Sequence, residues 1–279
     1  MPTIDHPTLG RVAYSTSGEG PTALVLLHGW AGSGSYFDLL ISHLDPDLVH
    51  CASPDLPGHG SSAEPSAPYS LDRIADATIA VADAVGADTF VLLGFSMSAK
   101  FAQYVTLRHP DRVLGQVLVA GCPTGRLPLP ADLIADWCGR AGDADRLLEV
   151  VLSCATRPIP RPVLDAVGRA GARVTRQVLQ ETVELCATSD FSAEVEGSSL
   201  PTLVVGGADD WLFTPDTLRD GVAAPLGNAE LQILDCGHEV PTEAPEELAR
   251  LITRFVTDVR RTGAGSAAAT ARRRCGVRR

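Results

Sequence analysis

Ser96 stands where an apolar run gives way to a helix-forming segment, in "FVLLGFSMSAK" (90–100), with Gly94 two places before it and Ser98 two places after. A serine hydroxyl is a poor nucleophile at its own pKa. Acyl-transfer chemistry at such a residue needs a base beside it, a group that orients the base, and N–H donors for the developing oxyanion. "TFVLLG" before Ser96 reads as a strand and "MSAKFAQYVTLRH" after it as a helix, the strand-turn-helix setting of a nucleophile elbow. In that turn the serine backbone is strained and its neighbours two residues away must be small. Gly94 and Ser98 meet the demand.

The chain has seven histidines, at 6, 28, 43, 50, 59, 109 and 238, and in this topology the base follows the nucleophile, which leaves His109 and His238. His109 closes the helix after Ser96 and precedes Pro110, so it belongs at the helix's far end. His238 follows the strand-like "AELQILDCG" through a glycine, in a loop at the ligand edge. The orienting acid belongs in the loop after the preceding strand, where "PTLVVGGADDWLFTP" offers Asp209 and Asp210; Asp210 is favoured. For the oxyanion, the amide of Met97 opens a helix whose dipole attracts negative charge. A second amide, that of Trp30, is expected from the loop after "ALVLLHG".

These residues need a scaffold that brings strand ends together. Apolar runs recur at 22–29, 48–55, 89–94, 113–121, 201–207 and 229–237, continuous rather than alternating, as in strands covered on both faces. Helical stripes lie between them, such as Leu71, Ile74, Ala75, Thr78, Ile79, Ala82 and Val85, and Leu248, Leu251, Ile252, Phe255, Val256 and Val259 after Pro245. The alternation predicts an α/β protein with a doubly wound, mostly parallel sheet and ligands at the carboxyl ends of its strands. From Pro123 to about Gly197 the pattern is helical and proline-punctuated, which predicts a helical lid inserted between two strands. The expected division is a core of 1–122 and 198–262, a lid of 123–197 and a disordered basic tail of 263–279.

Five segments in order, "HGWAG" (28–32), "DLPGHGSS" (55–62), "GFSMS" (94–98), "GADD" (207–210) and "CGHEVP" (236–241), resemble the α/β-hydrolase superfamily over roughly residues 10–260. The resemblance implies Ser96 as nucleophile, His238 as base, Asp210 as orienting acid, and the Trp30 and Met97 amides as oxyanion hole. Serine rather than aspartate at 96 argues against haloalkane dehalogenase chemistry. Ser98, where the family pattern usually has glycine, is a departure. The expected reaction is cleavage of an ester or lactone of a small, largely apolar molecule through an acyl-enzyme on Ser96. Carbon–carbon bond hydrolases, thioesterases and cofactor-free peroxidases or oxygenases share these residues, and a non-catalytic small-molecule receptor is the alternative from another class.

Phe95, Trp137, Trp211 and Phe213 are candidates for the wall of a substrate pocket. His28 is expected to bond backbone and shape the oxyanion loop, and Asp55 and His59 to stabilise a turn rather than hold a metal, since no third ligand stands at a suitable spacing. Lys100, the only lysine of the chain, is expected to be a partly solvated surface charge. No phosphate-binding glycine fingerprint precedes a helix, so no cofactor is expected.

The totals agree with a compact globular enzyme or receptor: 279 residues, 45% of them hydrophobic, with 34 acidic against 23 basic residues and a formal charge of -11. That balance disfavours nucleic acid and anionic membranes and leaves a small-molecule substrate as the expected partner. Seven cysteines without metal-ligand spacing, and an N-terminus without a basic segment leading into an apolar core, predict reduced thiols in the cytoplasm. Oligomeric state leaves no trace in the pattern.

Overall fold

A computed structural model of the chain describes residues 1–62 and 68–275, from 263 onward as backbone only. Eight strands form one sheet: β1 (Thr3–His6), β2 (Gly10–Ser17), β3 (Thr22–Leu27), β4 (Val49–Pro54), β5 (Phe90–Phe95), β6 (Val113–Val119), β7 (Thr202–Gly207) and β8 (Ala229–Leu234), in the order β1-β2-β4-β3-β5-β6-β7-β8. β1–β2 and β2–β4 pair antiparallel; every other pairing is parallel.

Five of the six continuous apolar runs became inner strands for the reason expected, and the sixth, at 229–237, became β8 at the sheet's edge, where it is half exposed. Along β3, Leu24 and Leu26 point into one core cluster and Val25 and Leu27 into the other, and all four are fully buried. The six anticipated strands are present, and β1 and β2 are additions. β2 reads "GRVAYSTS", polar at both ends and half exposed, and β1 alternates exposed and half-buried residues, so neither shows the apolar run of an inner strand.

Helices flank the sheet. α1 (Asp38–Ile41) precedes β4; α2 (Leu71–Ala84), N-capped by Ser70, and α3 (Met97–Arg108), which starts at the elbow, cover one face with Ile74, Val81, Phe101 and Val105. Between β6 and β7 come α4 (Ala131–Cys138), α5 (Ala144–Cys154), α6 (Arg161–Gly171), α7 (Arg176–Thr188) and α8 (Ser192–Val195), with no strand. After β7 follow α9 (Pro215–Thr217), α10 (Val240–Glu243) and α11 (Pro245–Cys275), the last covering the opposite face with Leu248, Ile252 and Val256. Of the basic tail expected to be disordered, 263–279, the backbone as far as Cys275 continues α11, while its side chains and residues 276–279 lie outside the described residues.

The inserted helices have their own small core, where Leu147, Val178, Leu179 and Val183 pack on Ala31 and Trp30 of the loop after β3. The Trp30 indole N–H donates to the Leu179 carbonyl at 3.0 Å. The insertion therefore touches the carboxyl ends of the strands. Among the described residues, no helix is long and apolar enough to cross a membrane, and Cys51, Cys122, Cys138, Cys154, Cys186 and Cys236 are free thiols.

Candidate active site

The elbow is built from backbone first. Ser96 has φ 54° and ψ -118°, a left-handed conformation that costs a non-glycine residue on the order of 1 kcal/mol or more. Neighbouring bonds hold it there: its N–H donates to the Val119 carbonyl at 2.8 Å, and its carbonyl accepts from the N–H groups of Ala99 and Cys122, both at 3.1 Å. At Gly94 a Cβ would stand 2.2 Å from the Ser98 carbonyl oxygen, so any side chain would collide with backbone. Ser98 is fully buried, and its hydroxyl donates to the carbonyl of His28. The serine thus ties the first turn of α3 to the loop that carries Trp30, something a glycine could not do.

Ser96, His238 and Asp210 meet in one hydrogen-bonded chain. His238 Nε2 lies 3.0 Å from Ser96 Oγ, and His238 Nδ1 lies 2.8 Å from Asp210 Oδ2. The other carboxylate oxygen of Asp210 accepts the N–H groups of Leu212 at 2.8 Å and Phe213 at 3.0 Å. A carboxylate at Nδ1 keeps the proton there and leaves Nε2 to accept the serine hydroxyl's. Asp209 is exposed, and His109 lies at the far end of α3. Burial pulls the His238 pKa down, but the hydrogen bond and charge of Asp210, with the charges of Glu239 and Glu243, outweigh it and leave the ring above its ordinary value.

Trp30, Ser96 and Met97 line a common cavity of about 40 Å³. Trp137, Val183 and Cys186 of the insertion and Phe213 of the loop after β7 complete much of its wall, and none of its ten lining residues carries a charge. Trp137 and Phe213 therefore lie where a pocket wall was expected. Phe95 and Trp211 do not: Phe95 stacks on Tyr36 with ring centroids 5.0 Å apart, and Trp211 is half exposed with its indole N–H on the Ser153 carbonyl at 3.0 Å. Both sit beside site residues in sequence, but adjacent residues face different ways.

The remaining candidates shape loops. His28 donates from Nδ1 to the Gly29 carbonyl at 2.8 Å and accepts the Leu56 N–H at Nε2 at 3.0 Å, and burial lowers its pKa to about 4. Burial and the nearby His28 ring take His59 to about 3. Asp55 accepts the N–H groups of Gly34 and Ser61, each at 2.7 Å. Among the described residues no group of three His, Cys, Asp or Glu side chains is placed to hold a metal ion.

Lys100 is a correction. It is fully buried rather than partly solvated, and its ammonium donates to the carbonyls of Gly125 at 2.8 Å and of Cys186 and Ser189 at 2.7 Å, all in the insertion. Sequence reading also passed over Tyr36, Glu239 and Glu243, which are buried around His238, the Tyr36 hydroxyl donating to Glu239. Glu243 stands three residues before Glu246 and four before Glu247 in an acidic stretch, and no feature of its spacing sets it apart from those helix-start carboxylates.

The chain matches the alpha/beta hydrolase family over residues 24–251. It is 28% identical over 257 residues to the pimeloyl-[acyl-carrier protein] methyl ester esterase of Stenotrophomonas maltophilia, covering 86% of this chain and 94% of that protein. To Lipase LipV of Mycobacterium tuberculosis it is 27% identical over 251 residues, covering 84% and 93%. Its structure is similar to that of the enol-lactonase from Burkholderia xenovorans with a TM-score of 0.79 at 20% identity, over 92% and 100% of the two chains, a likeness of fold. With its eight-stranded, mostly parallel sheet and a match that spans most of its length, the chain belongs to the alpha/beta hydrolase family.

Proposed function

We propose that this protein is a serine hydrolase that cleaves carboxylic esters or lactones of small, uncharged, apolar acyl groups. The observation that carries the reading is the Ser96–His238–Asp210 chain, with contacts of 3.0 and 2.8 Å, opening onto a cavity without charge. His238 Nε2 takes the Ser96 proton as Oγ attacks the carbonyl carbon. Asp210 holds the ring and balances the imidazolium. The oxyanion sits against the amides of Met97 and Trp30. When the tetrahedral intermediate collapses, His238 returns the proton to the leaving alkoxide, and it then activates water to release the acid.

Ester chemistry is favoured over carbon–carbon or thioester cleavage by the relatives, whose names describe a methyl ester esterase and a lipase. A cavity of about 40 Å³ suits a short acyl group, since each water-sized occupant needs roughly 10–15 Å³ of such volume. The insertion supplies part of that wall, and we assign it the part of a lid over the Ser96 site.

The test is labelling with a fluorophosphonate, read by peptide mapping, beside turnover of p-nitrophenyl esters of increasing acyl length. One adduct on Ser96, absent in Ser96→Ala, and a rate that falls with acyl length are expected. Ligand-induced stabilisation with neither adduct nor turnover of any ester would overturn the reading in favour of a receptor.

A further inference from the structure

Glu243 lies beside the site and belongs to none of the motifs around it. Its Oε2 accepts the N–H groups of Thr156 at 2.7 Å, Arg157 at 2.6 Å and Gly237 at 3.1 Å and the Thr156 hydroxyl at 3.2 Å, and its Oε1 accepts the Glu239 N–H at 3.0 Å. Every partner is a donor, so the group is held as a carboxylate. Thr156 and Arg157 belong to the insertion, just after α5; Gly237 and Glu239 flank His238. The N–H of His238 itself donates to the Cys154 carbonyl at 2.9 Å, in the same inserted segment. At Gly237 a Cβ would stand 2.6 Å from that carbonyl and 3.0 Å from Glu243 Oε1, so only glycine lets the two segments close on each other.

We propose that Glu243 is a positioning residue for the hydrolysis assigned above: it docks the inserted segment 154–157 onto the loop 237–239, setting the place of His238 and supplying negative charge behind its ring. The inference rests on the Ser96–His238–Asp210 reading. The groups facing His238 and its loop are Asp210 after β7, Glu239 just before α10 and Glu243 at its last position, Tyr36 before α1 through Glu239, and the thiols of Cys154 and Cys236. Each carboxylate stabilises the imidazolium that forms as Ser96 loses its proton. Glu243 differs from Asp210 in that it reaches His238 only through backbone and charge.

Glu243→Gln removes the charge and replaces one acceptor by a donor. Its His238 C2–H NMR titration should move to lower pH, the acid limb of kcat/KM for a p-nitrophenyl ester should follow, and kcat/KM at pH 8 should fall about tenfold, with kcat bearing most of the loss. Glu243→Asp keeps the charge but loses reach, so the titration should hold while kcat falls. Thr156→Val, which removes one hydroxyl contact, should leave the titration in place. If Glu243→Gln does not fold, Glu243→Asp decides: unchanged kcat and KM overturn the inference. A folded Glu243→Gln with wild-type titration and kcat overturns it as well. The NMR titration reads independently of turnover, so a wild type that hydrolyses no ester sinks the hydrolase reading, whereas a wild type that does, matched by the variant, sinks this one.

Discussion

The insertion meets the core at two buried charges of opposite sign, and their surroundings differ. Lys100 on α3 reaches upward from the helix that Ser96 starts, and its three ammonium N–H groups find three carbonyls: Gly125 near the insertion's beginning, and Cys186 and Ser189 at the C-terminal end of α7. The last carbonyls of a helix lack intrahelical donors and carry the negative end of its dipole, so a lysine is well suited to them. Glu243 divides its five bonds between the insertion and the loop of His238. One charge anchors helices of the insertion, and the other joins the insertion to the loop that carries His238. Both take their hydrogen bonds chiefly from backbone groups rather than from a directly bonded counter-ion, which spares the long side chains the loose geometry of a surface ion pair.

Removing Lys100 tests that division most severely. In Lys100→Met the buried Cys186 carbonyl and the part-buried carbonyls of Gly125 and Ser189 lose their donor, and at about 1–3 kcal/mol for a buried unsatisfied group, less where water reaches it, the loss should be about 3 kcal/mol. Denaturant titration should register it, and a low-specificity protease should cut first around 123–130 and 186–190, where Glu243 variants open around 153–157. An unchanged His238 titration in Lys100→Met would sharpen the comparison. A shifted one would erase it.

The neutral histidines provide a contrast to the two charges. His28 and His59 are buried uncharged, with folded-state values of about 4 and about 3. As pH falls below about 6.5, the unfolded chain takes up protons that the folded one refuses, so stability drops with pH; at pH 5 each histidine should cost about 2 kcal/mol. His238, whose value is raised, works in the opposite sense over the same range. Denaturation at pH 7 and pH 5 should show the net fall, and His59→Phe should lessen it. An equal fall in that variant would mean that carboxylates carry the effect.

A milder cut on α3 is Ser98→Ala, which leaves the His28 carbonyl without its hydroxyl donor and should cost about 1 kcal/mol. Because that bond steadies the loop of Trp30, kcat/KM should fall a few-fold with KM nearly constant; loss in KM alone would place the effect in ground-state binding. Smallest should be Trp211→Ala. The side chain is half exposed, outside the cavity, and held to the insertion by one bond to Ser153, so activity should stay within about twofold and stability within about 1 kcal/mol.

Much of this arrangement was legible in one dimension. Inner strands announce themselves because both faces are buried, and a serine after a strand with small residues on either side marks a turn that only backbone geometry can explain. His238 and Asp210 followed from chain order, since strand ends are where a doubly wound sheet gathers its loops. β1, at the sheet's edge, and β2 beside it stayed hidden because both are half solvated and carry no continuous apolar run. Lys100 and Glu243 were invisible for a deeper reason. A buried charge and a solvated one have the same letter, and what separates them is whether distant backbone groups converge on it. The positions of Phe95 and Trp211 were settled the same way, by which direction a side chain leaves a turn. Local pattern thus determined six of the eight strands, the elbow and the residue types that could do the chemistry; long-range packing of the insertion on the strand ends decided which charges are buried, which aromatics face the cavity and what holds His238 in place.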